Sequence, residues 1–363
     1  MKKNPHILLS TILVLAMFVT LTAGPASAYE TQAGTEQFVD LENHWATTSM
    51  SQLVKMGVVT GYEQEAANST GETYLKYYIK PNKLITRAEF STILARALGL
   101  AKASGAAKFN DSKGHWAEGY INALYNKDIV KGYNGGLFRP EAEITRGEIV
   151  TMLVKGLNNK ESVTENVYFS DIQDQSGHWA FAAIQKAVSM SIVKGYPDGS
   201  FGADGKAKRS EVMTMLVNFL NNDSTDENLP EDRNLVAAAA QYQRSIESIL
   251  ESTPDPTDKE NPLDWSTAYQ YVTGEEKLAL DGLAEVFDSL AGIEINYSFD
   301  ILKLNQGQVI HKSDHTAVVK HYAKMNLKVG TEEQSLEGDN YTYLMKENGK
   351  WLVYSNPEIE GGV

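Results

Sequence analysis

Four short motifs recur three times, in the same order, within the first 222 residues of the chain. Each copy has Phe-x-Asp, then His-Trp-Ala, then Gly-Tyr, and last a tetrad with arginine second and glutamate fourth. A unit of this size cannot bury its apolar face alone, so the three copies are expected to pack around a shared core. The repetition therefore predicts three consecutive repeats, over residues 36–101, 105–160 and 165–222.

The spacing of the motifs shows where the copies differ. The tryptophan and the arginine are 30 residues apart in the second and third copies, whereas 42 residues separate Trp45 from Arg87 in the first. The extra residues fall between Tyr62 and Pro81, in a polar stretch around residues 68–71. We interpret this segment as a loop inserted between two intact halves of the first copy.

Each copy is predicted to fold as a helix, a loop and a second helix. The first helix begins near the His-Trp pair, and the Gly-Tyr pair ends it. The second helix begins at the tetrad, where Thr86 with Glu89, and Thr145 with Glu148, have the spacing of a capping box. Lys208 replaces the threonine in the third copy, which weakens that cap.

The arginine of each tetrad is the most informative residue. Arg87 and Arg146 directly follow the cap threonine, so each lies in the first turn of its helix. A cation there opposes the helix dipole at a cost of about 0.3–1 kcal/mol, so its repetition indicates an anionic partner. A guanidinium can bind a carboxylate through two parallel hydrogen bonds. The alternative is internal pairing with Asp40, Asp111 or Asp171, and the residues alone support both readings equally.

The other motif residues also have two interpretations. Each tryptophan starts an apolar helical stripe, which favours a core position over a ligand platform. The Gly-Tyr pairs mark tight turns, although an exposed tyrosine ring could stack on a sugar. His44, His115 and His178 are interpreted as structural residues at helix starts, because none has a second ligand at metal-binding spacing. We expect no metal site and no cofactor.

Together, the motifs resemble those of the S-layer-homology family over about residues 36–222. The resemblance implies an all-α spindle with three-fold pseudo-symmetry, in which the first helices form a central bundle and the second helices stand out as prongs. It also implies that grooves between the prongs bind an anionic secondary cell-wall polysaccharide, typically one that carries pyruvate-ketal groups. The polysaccharide-binding positions that it implies are Asp40, Trp45, Gly61, Tyr62, Arg87, Asp111, Trp116, Gly132, Tyr133, Arg146, Asp171, Trp179, Gly195, Tyr196 and Arg209. The second copy is closest to the family pattern, so we expect the groove that uses Arg146 to bind best.

The N-terminus and the overall composition place the protein outside the cell. Residues 1–28 have the features of a secretory signal: Lys2 and Lys3, an apolar run over residues 7–21, and a small-residue cleavage site at residues 26–28. The alternative is an uncleaved N-terminal anchor. The chain has no cysteine, which excludes disulfides and lipoprotein acylation, and its net charge of −14 argues against nucleic-acid binding. We expect a secreted protein on the wall or S-layer of a Gram-positive-type bacterium, without stable membrane insertion after cleavage.

The last third of the chain differs from the repeats. Residues 223–233 are predicted as an acidic linker, and residues 234–363 as an α+β domain with a curled antiparallel sheet. Helices are predicted over 234–252 and 275–291, and Asn348-Gly349 is predicted as a hairpin turn. The pattern weakly resembles the nuclear-transport-factor-like cone fold.

No catalytic motif is present in this part of the chain. Its histidine cluster, His311, His315 and His321, is more typical of core histidines than of a metal or acid–base site. The sequence thus favours a non-enzymatic anchor that displays a C-terminal domain. The alternative is a wall-anchored enzyme with a small-molecule pocket in that domain.

Overall fold

The computed structural model describes residues 38–68, 73–157, 167–172, 177–224, 229–251, 264–274, 276–277, 279–282, 295–299, 306–329 and 332–355. The predicted signal segment lies outside these residues. Among the helices of the described part, none is both long enough and apolar enough to cross a membrane.

The predicted helix–loop–helix organisation of the three repeats is confirmed. The helices are α1 (Thr47–Lys55) and α2 (Arg87–Ala97) in the first repeat, α3 (Glu118–Asn126) and α4 (Arg146–Gly156) in the second, and α5 (Phe181–Ser189) and α6 (Arg209–Asn222) in the third. A short 3-10 helix, Asn110–Ser112, precedes α3. The capping boxes at Thr86 and Thr145 are both formed, whereas the Lys208 side chain makes no cap hydrogen bond.

The helices pack in a cycle around a common core. The second helix of each repeat packs against the first helix of the next, which pairs α2 with α3, α4 with α5, and α6 with α1. Helix α6 also contacts α2 and α4, and the second helices bury most of their residues, whereas α1 buries only Met50 and Leu53. The expectation that the first helices occupy the centre was therefore wrong. The second helices have buried residues around most of their circumference, and they take the central position.

A ring of backbone hydrogen bonds closes the cycle just before the second helices. The Ile85 amide donates to the Ala207 carbonyl at 3.2 Å, the Ile144 amide donates to the Ile85 carbonyl at 3.1 Å, and the Ala207 amide donates to the Ile144 carbonyl at 3.2 Å. Each repeat thus donates a hydrogen bond from its amide to one neighbouring repeat and accepts one at its carbonyl from the other. This ring makes the three repeats a single structural unit.

The insertion in the first repeat is a β-hairpin and not the predicted loop. Strands β1 (Tyr62–Ala67) and β2 (Thr73–Tyr78) pair antiparallel, with Tyr62 opposite Tyr78. The repeat module is therefore not all-α. The hairpin begins at Tyr62, so the insertion extends directly from a residue of the Gly-Tyr motif.

The C-terminal part is an α+β unit with an antiparallel sheet. Helix α7 (Asp232–Glu251) and a 3-10 helix, Trp265–Tyr271, come first. The strands are β3 (Ile295–Phe299), β4 (Gln308–Lys312), β5 (Thr316–Val329), β6 (Glu332–Glu347) and β7 (Lys350–Ser355). Their order is β3-β5-β6-β7, with β4 also paired to β5.

Two sequence predictions for this part can be compared with the structure. Asn348 and Gly349 have φ angles of 49° and 80° and join β6 to β7, so the predicted hairpin turn is confirmed. Of the predicted helix over 275–291, the described residues 276–277 and 279–282 are helical, and the rest lies outside the described residues.

The repeats and the C-terminal part are packed together. Asp223, the first residue of the predicted linker, is fully buried, and its carboxylate lies 2.8 Å from the His315 Nε2 atom. The His315 ring stacks on Phe219 of α6, with centroids 5.3 Å apart. Met345 and Tyr354 join the core of the repeats. The acidic segment therefore starts inside this junction.

Candidate ligand-binding grooves between the repeats

The three tetrad arginines connect neighbouring repeats. Each Nε–H group donates to a backbone carbonyl in the loop of the next repeat in the cycle. The acceptors are Phe138 for Arg87 at 2.9 Å, Phe201 for Arg146 at 3.0 Å, and Ile79 for Arg209 at 2.9 Å. The arginines are only 6%, 4% and 3% exposed. Each therefore lies at the interface between two repeats, where the family resemblance predicts a groove.

The carboxylate partners of the arginines are glutamates, not the aspartates considered from the sequence. Arg87 lies 3.2 Å from Glu148, and Arg146 lies 3.1 Å from Glu211. Each glutamate belongs to the tetrad of the following repeat. At the third junction Glu89 pairs with Lys83 at 3.3 Å, and no carboxylate of the described residues lies within ion-pair distance of Arg209.

The motif aspartates hold the loops that approach the arginines. Each carboxylate accepts hydrogen bonds from two consecutive backbone amides of its own repeat. The amides are those of Ile79 and Lys80 for Asp40 at 2.9 and 2.7 Å, Phe138 and Arg139 for Asp111 at 2.7 and 2.8 Å, and Phe201 and Gly202 for Asp171 at 2.7 and 2.7 Å. The aspartates thus fix the segment whose carbonyl receives the arginine.

A tyrosine from the Gly-Tyr motif lies over each guanidinium. The distance from the guanidinium carbon to the ring centroid is 5.2 Å for Arg209 and Tyr62, 4.7 Å for Arg87 and Tyr133, and 4.5 Å for Arg146 and Tyr196. The hydroxyl groups donate to the tetrad glutamates, Tyr62 to Glu89 at 3.1 Å, Tyr133 to Glu148, and Tyr196 to Glu211 at 2.9 Å. Burial, together with these carboxylates, raises the pKa of Tyr133 and Tyr196.

The motif tryptophans are exposed, so their interpretation as core residues was wrong. Trp45, Trp116 and Trp179 are 65%, 57% and 59% exposed. The Trp179 ring lies next to Gly147, which directly follows Arg146, since a Cβ on that glycine would be 3.4 Å from the ring. The exposed indole of Trp179 therefore lies against the first turn of α4, next in sequence to the buried Arg146.

Comparison with known proteins identifies these segments. The model of the S-layer homology domain matches residues 37–91, 108–150 and 169–213. The chain carries three S-layer homology domains.

Similar proteins include surface proteins and an enzyme. The chain is 32% identical to cell surface glycoprotein 1 of Acetivibrio thermocellus over 39% of this chain and 7% of the relative. It is 33% identical to the cellulosome-anchoring protein of the same organism over 41% of this chain and 36% of the relative. It is 29% identical to an endoglucanase of Bacillus sp. strain KSM-635 over 60% of this chain and 22% of the relative. The chain thus spans well under half the length of each of these relatives.

The glycines of the three S-layer homology domains are required by packing. A Cβ atom would lie 2.2 Å from the Phe38 ring at Gly61, 2.3 Å from the Phe109 ring at Gly132, and 2.3 Å from the Phe169 ring at Gly195. The phenylalanine of each Phe-x-Asp motif therefore packs directly on the glycine of the same domain. These glycines shape the loop that carries the tyrosine.

The histidines of the domains hold the backbone just before the first helices, in agreement with their interpretation as structural residues at helix starts. The Nδ1 atoms of His44, His115 and His178 accept hydrogen bonds from the amides two residues later, at 3.2, 3.1 and 3.2 Å. Among the described residues of the whole chain, no group of three histidine, aspartate or glutamate side chains is placed to hold a metal ion. In the C-terminal domain, burial lowers the pKa of His321 to about 4.

The tetrad glutamates carry charge in partly buried positions. Burial alone would raise the pKa of Glu89, but the Thr86 amide, Lys83 and Arg209 together hold it below its ordinary value. The pKa of Glu148 is lowered in the same way against the effect of burial, by the Thr145 amide, Tyr133 and Arg87. Glu89 and Glu148 are therefore charged at neutral pH and offset part of the positive charge of the neighbouring arginines.

Proposed function

We propose that the three S-layer homology domains anchor this protein to the bacterial cell wall. They do so by binding an acidic secondary cell-wall polysaccharide, with pyruvate-ketal carboxylates as the charged groups, in the grooves between neighbouring domains. The C-terminal domain is displayed from this anchor. This function places the secreted protein on the wall or S-layer of a Gram-positive-type bacterium.

The observation that carries the proposal is the threefold recurrence of one groove. Each has a buried arginine with a tyrosine over its guanidinium, and every repeat has an exposed motif tryptophan, of which Trp179 lies beside Gly147. An exposed indole offers an apolar ring face together with a polar N–H group, and a guanidinium recognises carboxylates well. A sugar with a carboxylate substituent combines an apolar ring face with the matching charge.

Internal hydrogen bonds and ion pairs leave some N–H donors of the arginines unused. The contacts to protein atoms use two N–H donors of Arg87 and three of Arg146, fewer than a guanidinium offers. The remaining N–H donors have no acceptor among the described residues, and we propose that the carboxylate of the ligand accepts hydrogen bonds from them. The internal bonds also hold each guanidinium in one orientation, which lowers the entropy cost of binding.

The names of the relatives support the anchoring function. They describe a cell surface glycoprotein and a cellulosome-anchoring protein. An endoglucanase is similar to this chain to a comparable degree. Similarity of this kind therefore does not assign an enzymatic activity to the chain.

The test is the binding of the full chain to purified Gram-positive cell walls before and after mild acid removal of pyruvate ketals. The informative variant replaces Trp45, Trp116 and Trp179 with alanine, because these side chains are exposed and we expect their loss to leave the fold intact. Tyr168→Ala is the matched control, since Tyr168 is 71% exposed and belongs to none of the four motifs. We expect the triple variant and the ketal-free walls to lose binding and the control to keep it. Unchanged binding of the triple variant, or no binding of the native chain, would refute the proposal.

A further inference from the structure

One backbone position differs chemically between the three grooves. Lys80, Arg139 and Gly202 are the equivalent residues whose amides bind the motif aspartates. Their φ angles are 55°, 59° and 71°, which is the left-handed region that favours glycine. Two domains nevertheless place a long cationic side chain there. Strained residues of this kind are concentrated at functional sites.

Both cations point to the groove tyrosine. The Lys80 Nζ atom lies 4.1 Å from the centroid of the Tyr62 ring, and the Arg139 guanidinium lies 4.4 Å from that of Tyr133. Each of these rings also contacts the tetrad arginine of the preceding domain. In the third domain Gly202 leaves this position without a side chain, and the Tyr196 ring fills the space, since a Cβ there would be 2.8 Å from it.

The first domain, which carries the β-hairpin, adds one more cation near the Tyr62 ring. The Lys83 Nζ atom lies 5.4 Å from the Tyr62 ring centroid and 3.3 Å from Glu89. Burial opposes its charge, but Glu89 and Tyr62 raise the pKa of Lys83, so it is protonated at neutral pH. The groove at Arg209 therefore has three cations and one carboxylate around one ring. The groove at Arg87 has two cations around its ring and the carboxylate of Glu148, which Lys206 also stabilises. The groove at Arg146 has one cation around its ring and two carboxylates that act on Tyr196, those of Glu211 and Asp198.

The number of hydrogen bonds and ion pairs that each arginine makes within the protein ranks the three grooves in the same order. Within the described residues, protein acceptors take one N–H donor of Arg209, two of Arg87 and three of Arg146. The arginine with the most N–H donors left by the protein therefore lies in the groove with the most cations around its tyrosine ring.

We propose that the groove between the third and first domains is the primary site for the acidic group of the ligand, with Lys80 and Lys83 as the residues that give it this preference. The Arg87 groove, with Arg139, is the second site, and the Arg146 groove contributes least. This inference rests on the proposed function, and it reverses the order expected from the motifs. Motif similarity measures how well a copy fits the shared backbone, whereas the preference for an anion depends on the net charge around the site.

The test uses glycine substitutions at the left-handed positions. Lys80→Gly and Arg139→Gly remove the cation and relieve the backbone, so the thermal unfolding midpoint should stay constant or rise. The probe is a purified pyruvylated cell-wall polysaccharide, titrated into the full chain by calorimetry at low and high salt. The charge-matched control is Arg233→Ala, because Arg233 is 81% exposed on α7 and outside the grooves.

We expect Lys80→Gly to weaken binding about tenfold at low salt, since it removes a charged contact to the ligand. Arg139→Gly should have a smaller effect, and Arg233→Ala none. Trp45→Ala should weaken binding more than Trp179→Ala, because the order of the domains places Trp45 in the Arg209 groove. The depyruvylated polymer should bind the native chain and Lys80→Gly equally weakly.

The outcomes separate this inference from the anchoring function. If the native chain binds the polymer and Lys80→Gly binds within about twofold of it, the preference for this groove is refuted while the anchoring function stands. Equal losses in Trp45→Ala and Trp179→Ala would also refute it. If the native chain does not bind the polymer, both proposals fail.

Discussion

The Arg146 guanidinium lies 3.1 Å from the carboxylate of Glu211, which belongs to the following repeat, and its Nε–H group donates to the Phe201 carbonyl at 3.0 Å. Arg146 is only 4% exposed. Arg146→Ala would leave a partly buried carboxylate and two carbonyl groups without this donor, so we expect a loss of about 2–4 kcal/mol in the free energy of unfolding. Urea denaturation of the full chain measures this loss.

The control for this prediction is Arg233→Ala, which should change stability by less than about 0.5 kcal/mol because the side chain is on the surface. Arg146→Lys keeps the charge but cannot make the same set of hydrogen bonds, so it should fall between the native chain and the alanine variant. Native-like stability of Arg146→Ala would show that this arginine does not hold the repeats together.

The tryptophans should divide into two classes. Trp179 is 59% exposed, so Trp179→Ala is expected to change the unfolding free energy by less than about 0.5 kcal/mol. Trp265 is only 7% exposed in the C-terminal domain, and Trp265→Ala should cost about 3–5 kcal/mol. Thermal denaturation of the two variants compares them directly. A large loss for Trp179→Ala would mean that this ring supports the fold and is not a ligand platform.

The repeats should lose stability in acid. The folded-state pKa values of Glu89 and Glu148 are lower than their ordinary values, so folding favours the charged carboxylates. Their contribution is fully present above the unfolded pKa of about 4.3 and is lost as the pH falls through the lower folded values. Unfolding of the native chain should therefore become easier below about pH 4.5.

The matched variant for this prediction is Glu89→Gln with Glu148→Gln. It should be less stable than the native chain at pH 7, and its stability should fall less between pH 5 and 3. Thermal midpoints measured across this range provide the comparison. Parallel curves for the two proteins would contradict the assignment of the acid loss to these glutamates.

Local sequence rules were sufficient for the helices of the repeats. Thr86 and Glu89 are three residues apart, and the capping box they predict depends only on that spacing. The apolar residues behind them, such as Phe90 and Leu94, are buried as helical periodicity predicts. Such features could be derived because all of their contacts lie within one turn or one helix face.

The contacts that close the grooves could not be derived in this way. Arg146 and Glu211 are 65 residues apart, and nothing in the sequence favours this glutamate over the nearer aspartates. Trp179 was assigned to an apolar stripe, but α5 begins at Phe181, so the tryptophan precedes the helix and follows no stripe. The hairpin was missed because β1 is largely exposed and lacks the alternation of a half-buried strand.

The motif glycines should act on stability through their phenylalanine neighbours. A Cβ at position 195 would lie 2.3 Å from the Phe169 ring, so Gly195→Ala should cost about 1–3 kcal/mol by overpacking. Phe169→Leu shortens the neighbour, and the double variant should recover part of the loss beyond additivity. A double-mutant cycle in urea measures this coupling. Additive effects would show that the two residues do not share this space.

The junction between the repeats and the C-terminal domain should depend on His315. Its Nε2 atom lies 2.8 Å from the carboxylate of Asp223, which is fully buried at the end of α6, and its ring stacks on Phe219. His315→Ala removes both contacts and leaves the buried carboxylate of Asp223 with one hydrogen-bond partner fewer. The repeats and the C-terminal domain should therefore separate more easily. We expect faster proteolysis in the segment after Asp223 and two thermal transitions in place of one. Lys320→Ala is the control, because its ion pair with Asp339 is on the surface. A single transition and native proteolysis rates for His315→Ala would show that other contacts hold the junction.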